Sequence, residues 1–223
     1  NVVLEGCYFE DLNKDTLRSG SRLEVDIDLF KILSNEIEIN SIELENATAN
    51  ISRNKDSVFN FDYIIKAFDT GKPKDPNSGP YVISVAKIDL KKINFSFNDA
   101  LSKNDVKVKI QQFDTKFEKF DLDKMNFDIP NINLDGLKVV LNQDLVEKIA
   151  EVSVKTVDTL SKRTDLSLKL KNIALKNINI LYDNKDSKLN TGVNFDQLNL
   201  IVNEVNLQKQ LLDFDTFQLK NLK

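Results

Sequence analysis

Histidine and tryptophan are absent from this 223-residue chain, and cysteine and methionine occur once each. Without histidine there is no Ser-His-Asp or Cys-His triad, no usual zinc constellation and no common general base near neutral pH. The lone Cys7 excludes an intrachain disulfide and hence a stapled scaffold. It holds an apolar position of the pattern described below and reads as core rather than nucleophile. No glycine-rich phosphate loop and no G-x-S-x-G elbow occur. No apolar run approaches the ~18 residues of a bilayer-crossing helix, and no signal peptide is visible. An excess of one charge is also missing: the net charge is −4, with Lys and Asp interleaved. Without a basic stripe, nucleic acid is not an expected partner.

The segment Asp11-Leu12-Asn13-Lys14-Asp15-Thr16 begins like an EF-hand. Thr16 stands where its glycine should be and Arg22 where its glutamate should be, so a solvated turn is expected instead. No catalytic residue, cofactor site or metal site follows from the sequence, and an enzyme is not expected.

What the chain has is a repeated apolar pattern. Ile88, Leu90, Ile93, Phe95 and Phe97 are matched 85 residues later by Ile173, Leu175, Ile178, Ile180 and Tyr182. The match runs without a gap from about 85–137 onto 170–222. Inside it lies a shorter unit, Ile129-x-x-Ile132-x-Leu134-x-x-Leu137. It recurs from Ile39, Val85, Leu170 and Phe214, at steps of 46, 44, 41 and 44 residues. A clipped copy opens the chain at Val2, Leu4 and Cys7. Repetition of buried faces marks a stacked or elongated architecture. The pattern meets both termini, so residues 1–223 are expected to be one elongated β-repeat segment of a longer protein.

Alternation in Lys91–Phe97 and Val106–Ile110 predicts strands with one dry face. The steps from Leu90 to Ile93, Leu134 to Leu137 and Leu175 to Ile178 change parity, which predicts a repeated bulge or bend keeping both runs on one face. Two helices are expected to interrupt the strands. A short one is capped by Asn60 within a helical insertion at about 60–80, whose Thr70–Pro80 part is a surface loop. An amphipathic helix of about 18 residues runs over about 143–162. The predicted fold is therefore mainly β, an elongated curled antiparallel sheet.

A sheet with one apolar face cannot leave that face in water, since each buried Leu, Ile or Phe is worth roughly 1.5–3 kcal/mol. It must pack on itself or take up an apolar ligand. The candidate lining is Ile88, Leu90, Ile93, Phe95, Phe97, Ile173, Leu175, Ile178 and Ile180; ordinary self-packing is the competing reading for each.

The stretch Val3-Leu4-Glu5-Gly6, Phe9-Glu10-Asp11 and Leu23–Leu33 resembles the TamB branch of the AsmA-like proteins. So do Ile39–Ala47, Phe59–Ile65, Asn142–Leu160 and Leu175–Ile178, and the likeness is to Bacteroidota members in particular. The resemblance implies a bacterial periplasmic protein, anchored in the inner membrane through a segment outside this chain. It implies a U-shaped β-taco groove holding phospholipid acyl chains for inner-to-outer membrane transport. The implied partners are phospholipid and a TamA-like outer-membrane barrel of the BamA superfamily. An alternative role is a scaffold that helps assemble or translocate outer-membrane proteins.

Overall fold

The computed structural model describes residues 1–28, 31, 36–68, 82–122, 124–144, 166–206 and 208–223. Its strands are β1 (Val2–Glu10), β2 (Thr16–Asp28), β3 (Glu36–Arg53), β4 (Val82–Val85), β5 (Lys87–Asp99) and β6 (Asn104–Lys116). They continue with β7 (Lys119–Asp121), β8 (Asn126–Gln143), β9 (Ser167–Asn184), β10 (Leu189–Asn206) and β11 (Leu211–Lys220). All belong to one open sheet in the order β1-β2-β3-β5-β6-β8-β9-β10-β11. The short β4 extends the line of β5 beside β3, and β7 extends that of β6 beside β8.

The mainly β expectation holds, but the sheet is mixed rather than antiparallel. β3 runs parallel to β4 and β5, and β8 runs parallel to β9. Parallel neighbours need a crossover of a dozen or more residues. The chain supplies these at 54–81 and 144–166, the two places where the sequence predicted interruptions of the strand series. Between them, short turns join antiparallel pairs.

This topology explains the repeat. Ile42 pairs with Ile88 across β3 and β5, and Ile132 with Ile173 across β8 and β9. Steps of 46 and 41 residues are thus direct parallel neighbours. Each step of 44 spans one intervening antiparallel strand, β6 or β10. The larger unit is β5-β6-β8 followed by β9-β10-β11.

The predicted parity bend is present as a crease across the whole sheet. Asn46, Lys92, Gly136 and Asn177 have φ of 50°, 54°, 68° and 52°. Each sits in a gap of the ladder: Lys92 opposite Gln111, Gln111 opposite Gly136, Asn177 opposite Asp196. Gly6, at φ 62°, and Asn221, at φ 54°, carry the line to the two edges. A left-handed residue within a strand bends it and resets the alternation of faces. Leu90 and Ile93 therefore stay on one side although three positions apart.

A second crease lies one unit lower. It falls between Ile39 and Ile42, between Val85 and Ile88, and between Ile129 and Ile132. There Ala86 separates β4 from β5, and Pro130, which has no N–H to give a ladder, sits in β8. Ala86 still donates to the Ile39 carbonyl and accepts from Phe117 N–H, both at 2.9 Å.

One helix is described, α1 (Asp62–Phe68). Asn60 does not cap it. Its amide instead accepts from Ser52 N–H at 3.1 Å and donates to the Asn50 carbonyl at 2.9 Å, fastening the segment to β3. Asp62 reaches back to Phe59 N–H at 2.9 Å. The helix expected at 143–162 falls almost wholly outside the described residues, as does the Thr70–Pro80 loop. The Asp11–Asp15 segment forms the β1–β2 turn, with Asp11 Oδ1 accepting from the amides of Asn13 and Asp15 at 2.8 and 3.0 Å.

One ion pair closes the upper end of β3 and β5. Arg53 donates through Nε to Asp99 Oδ1 at 3.0 Å and through Nη2 to Oδ2, while Ser102 and the Leu101 amide also donate to Asp99. Asp99 is 3% exposed. The Arg53 hydrogen bond, ahead of those from Ser102 and Leu101, holds its carboxyl well below the usual carboxylate range. A carboxylate with a depressed folded-state pKa adds stability above its unfolded value of about 3.9 and loses it as the pH falls below that. Urea midpoints at pH 7 and pH 3 should therefore differ less in Asp99→Asn than in the parent; an equal difference would show that the pair adds nothing.

Candidate apolar binding face

The register collects the apolar residues into rows that cross the strands. Leu4 pairs with Leu23, Leu23 with Leu44, Leu44 with Leu90, and Leu90 with Phe113. Phe113 pairs with Leu134, Leu134 with Leu175, Leu175 with Leu198, and Leu198 with Leu219. Eight leucines and one phenylalanine thus form a single line over nine strands. At about 4.8 Å per strand, that line is roughly 38 Å long. Beside it runs Val2, Val25, Ile42, Ile88, Thr115, Ile132, Ile173, Leu200 and Phe217.

The opposite face is polar in the same register. Glu5, Arg22, Glu45, Lys91, Gln112, Asp135, Lys176, Gln197 and Lys220 follow one another across the sheet. Local ion pairs knit this side: Arg22 to Glu24 at 2.6 Å, Lys87 to Glu43 at 3.3 Å and Lys169 to Asp128 at 2.6 Å. The Arg22 hydrogen bond keeps the Glu24 carboxyl below its ordinary range, and the Glu43 hydrogen bond raises the Lys87 ammonium. The sheet therefore has one charged side and one hydrocarbon side.

All nine residues predicted as lining lie on the hydrocarbon side. Ile88, Leu90, Ile93, Phe95 and Phe97 stand in β5, and Ile173, Leu175, Ile178 and Ile180 in β9, linked through β6 and β8 by the ladders. Ile178 is buried and Ile180 is 38% exposed; the other seven are half-buried. Sequence reasoning did not include Leu4, Leu23, Leu44, Phe113, Leu134, Leu198 and Leu219. Part of the signal was present, since the third position of the short unit is Leu in every full copy.

Few side chains are sealed from solvent. Among the described residues only Leu17, Ala47, Val85, Ile178, Phe195 and Val202 form the buried apolar set, and none is below 2% exposure. Phe117, Phe120 and Phe127 stack edge to face at 5.1 and 5.3 Å at the lower margin.

A hollow of about 400 Å³ lies elsewhere, between the β1–β2 turn and α1, lined by Asp11, Asn54, Phe59, Asp62, Tyr63 and Lys66 among others. Its Asp and Asn oxygens accept from turn amides, as in Asn54 Oδ1 with the amides of Asp56 and Val58. These contacts build the turns and leave little to recognise a ligand. Among the described residues no cluster of three or more metal-type ligands occurs, and no helix is long and apolar enough to cross a membrane.

No family model, curated protein or solved structure matches this chain.

Proposed function

We propose that the hydrocarbon side is a lane for lipid acyl chains, so that this chain is a segment of a lipid-carrying bridge. The observation that supports this is the row from Leu4 to Leu219, unbroken over nine strands and backed by a charged opposite face. Moving a chain of about sixteen methylenes through water costs on the order of 10 kcal/mol, at ~0.8 kcal/mol per methylene. Apolar side chains aligned across the strands lower that barrier without any reaction. In this reading the sheet curls along both creases toward its apolar side, forming a U-shaped trough in which headgroups face water.

The resemblance to the TamB branch extends the reading to a periplasmic bridge from the inner membrane to a TamA-like barrel. That extension rests on the resemblance alone. A second reading is a scaffold for outer-membrane protein assembly, in which strand edges template a nascent strand by β-augmentation.

Solvent extraction and native mass spectrometry of the purified protein should recover phospholipid in stoichiometric amounts. Protein that emerges lipid-free, and takes up none from labelled vesicles, would exclude the lane.

A further inference from the structure

Arg18 is a cation on the hydrocarbon side of the sheet. It pairs across the ladders with Phe9 on β1 and Ala49 on β3, and Ala49 pairs with Phe95. That row sets its side chain on the same side as the lining residues, and it is half-buried there. Of the three arginines among the described residues, Arg22 has Glu24 at 2.6 Å and Arg53 has Asp99. Among those residues Arg18 has no ion pair and no hydrogen bond from its side chain. A guanidinium stays charged at any physiological pH, so it cannot shed its proton to suit apolar surroundings. Leaving such a charge unpaired against hydrocarbon is costly.

Its place along β2 suits one kind of anion. Leu23, in the leucine row, lies five residues along the same strand, about 17 Å away at ~3.3 Å per residue. The hydrocarbon of one lipid leaflet, half of a bilayer core, is about 15 Å deep. Acyl chains that end on the leucine row therefore bring a lipid's phosphate to the height of Arg18. Ala49 faces Arg18, and Gly20 and Ala47 pair in the next row, so the guanidinium has only small neighbours toward β3.

We infer that Arg18 binds the headgroup phosphate of a phospholipid whose acyl chains lie in the lane, so that this segment selects phosphate-bearing lipids over neutral ones. The inference rests on the reading of the hydrocarbon side as a lipid lane. The planar guanidinium fork matches two phosphate oxygens, and charge-assisted pairs of this kind are about twice as strong as neutral hydrogen bonds.

The test is a competition. Lipid-depleted protein is incubated with phosphatidylcholine vesicles holding equal small amounts of tail-labelled phosphatidylcholine and tail-labelled diacylglycerol, then re-isolated. The two labelled lipids have the same chains, and neither carries net charge. The parent should hold phosphatidylcholine over diacylglycerol by roughly tenfold. Arg18→Gln should hold the two about equally. Arg18→Lys keeps the charge but not the fork, and should fall between them. Adding Gln112→Arg to Arg18→Gln returns the charge on the polar side, between Lys91 and Asp135, and should not restore the preference. A parent that takes up both labels without preference overturns the inference and leaves the lane standing. So does a preference that survives Arg18→Gln or returns with Gln112→Arg. Uptake of neither label by the parent overturns the lane and the inference together.

Discussion

Leu134→Asp should lower the phospholipid retained by the purified protein by roughly thirtyfold. Leu134 stands mid-row, between Phe113 and Leu175. A carboxylate there denies contact to two or three methylenes of a passing chain; at ~0.8 kcal/mol each the loss is about 2 kcal/mol, or that factor in occupancy. Phe95→Asp on β5 should act in the same direction. Gln197→Asp is the control: it puts the same charge on the polar side, between Lys176 and Lys220, and should leave retention unchanged. Circular dichroism must show each variant folded. Equal lipid in all three would show that the hydrocarbon side is ordinary core.

Gly136→Ala should cost about 2–3 kcal/mol of stability, a fall in Tm of roughly 5–10 °C. Two effects combine. The left-handed φ of 68° penalises any Cβ by about 1–2 kcal/mol. A Cβ there would also lie 2.4 Å from Gln111 Cγ and 2.7 Å from its Cβ. Gly6 separates the two effects, because its φ is 62° yet nothing lies within 4 Å of an added Cβ. Gly6→Ala should show the backbone penalty alone. Adding Gln111→Gly to Gly136→Ala removes the overlapping atoms, so the double variant should lose less than the sum of the singles. Additive losses would mean that the crease yields and that Gln111 does not confine it.

The Leu90-to-Ile93 step was enough to anticipate the bend in each strand, because side-chain parity is a property of the chain alone. That Asn46, Lys92 and Gly136 share one crease was not legible, since alignment across strands depends on pairing. Yet the repeat steps encoded that pairing. A step of 46 residues between Ile42 and Ile88 is the register of β3 on β5, which makes them parallel neighbours. The expectation of an antiparallel sheet hid this. Asn60 was misplaced for a related reason: its amide suits a helix cap, but backbone groups of β3, adjacent only in the fold, compete for it.

The second crease has a further consequence. Inserting one residue into an ordinary strand turns every later side chain to the wrong side. Here the count already differs between neighbours at that line: Asp26 pairs with Ser41 but Ile27 with Ile39, and Ile201 with Thr216 but Val202 with Phe214. The mismatch is absorbed locally, and the leucine row above it stays in step. Such lines act as expansion joints, at which strand length can drift by a residue while the greasy track stays continuous.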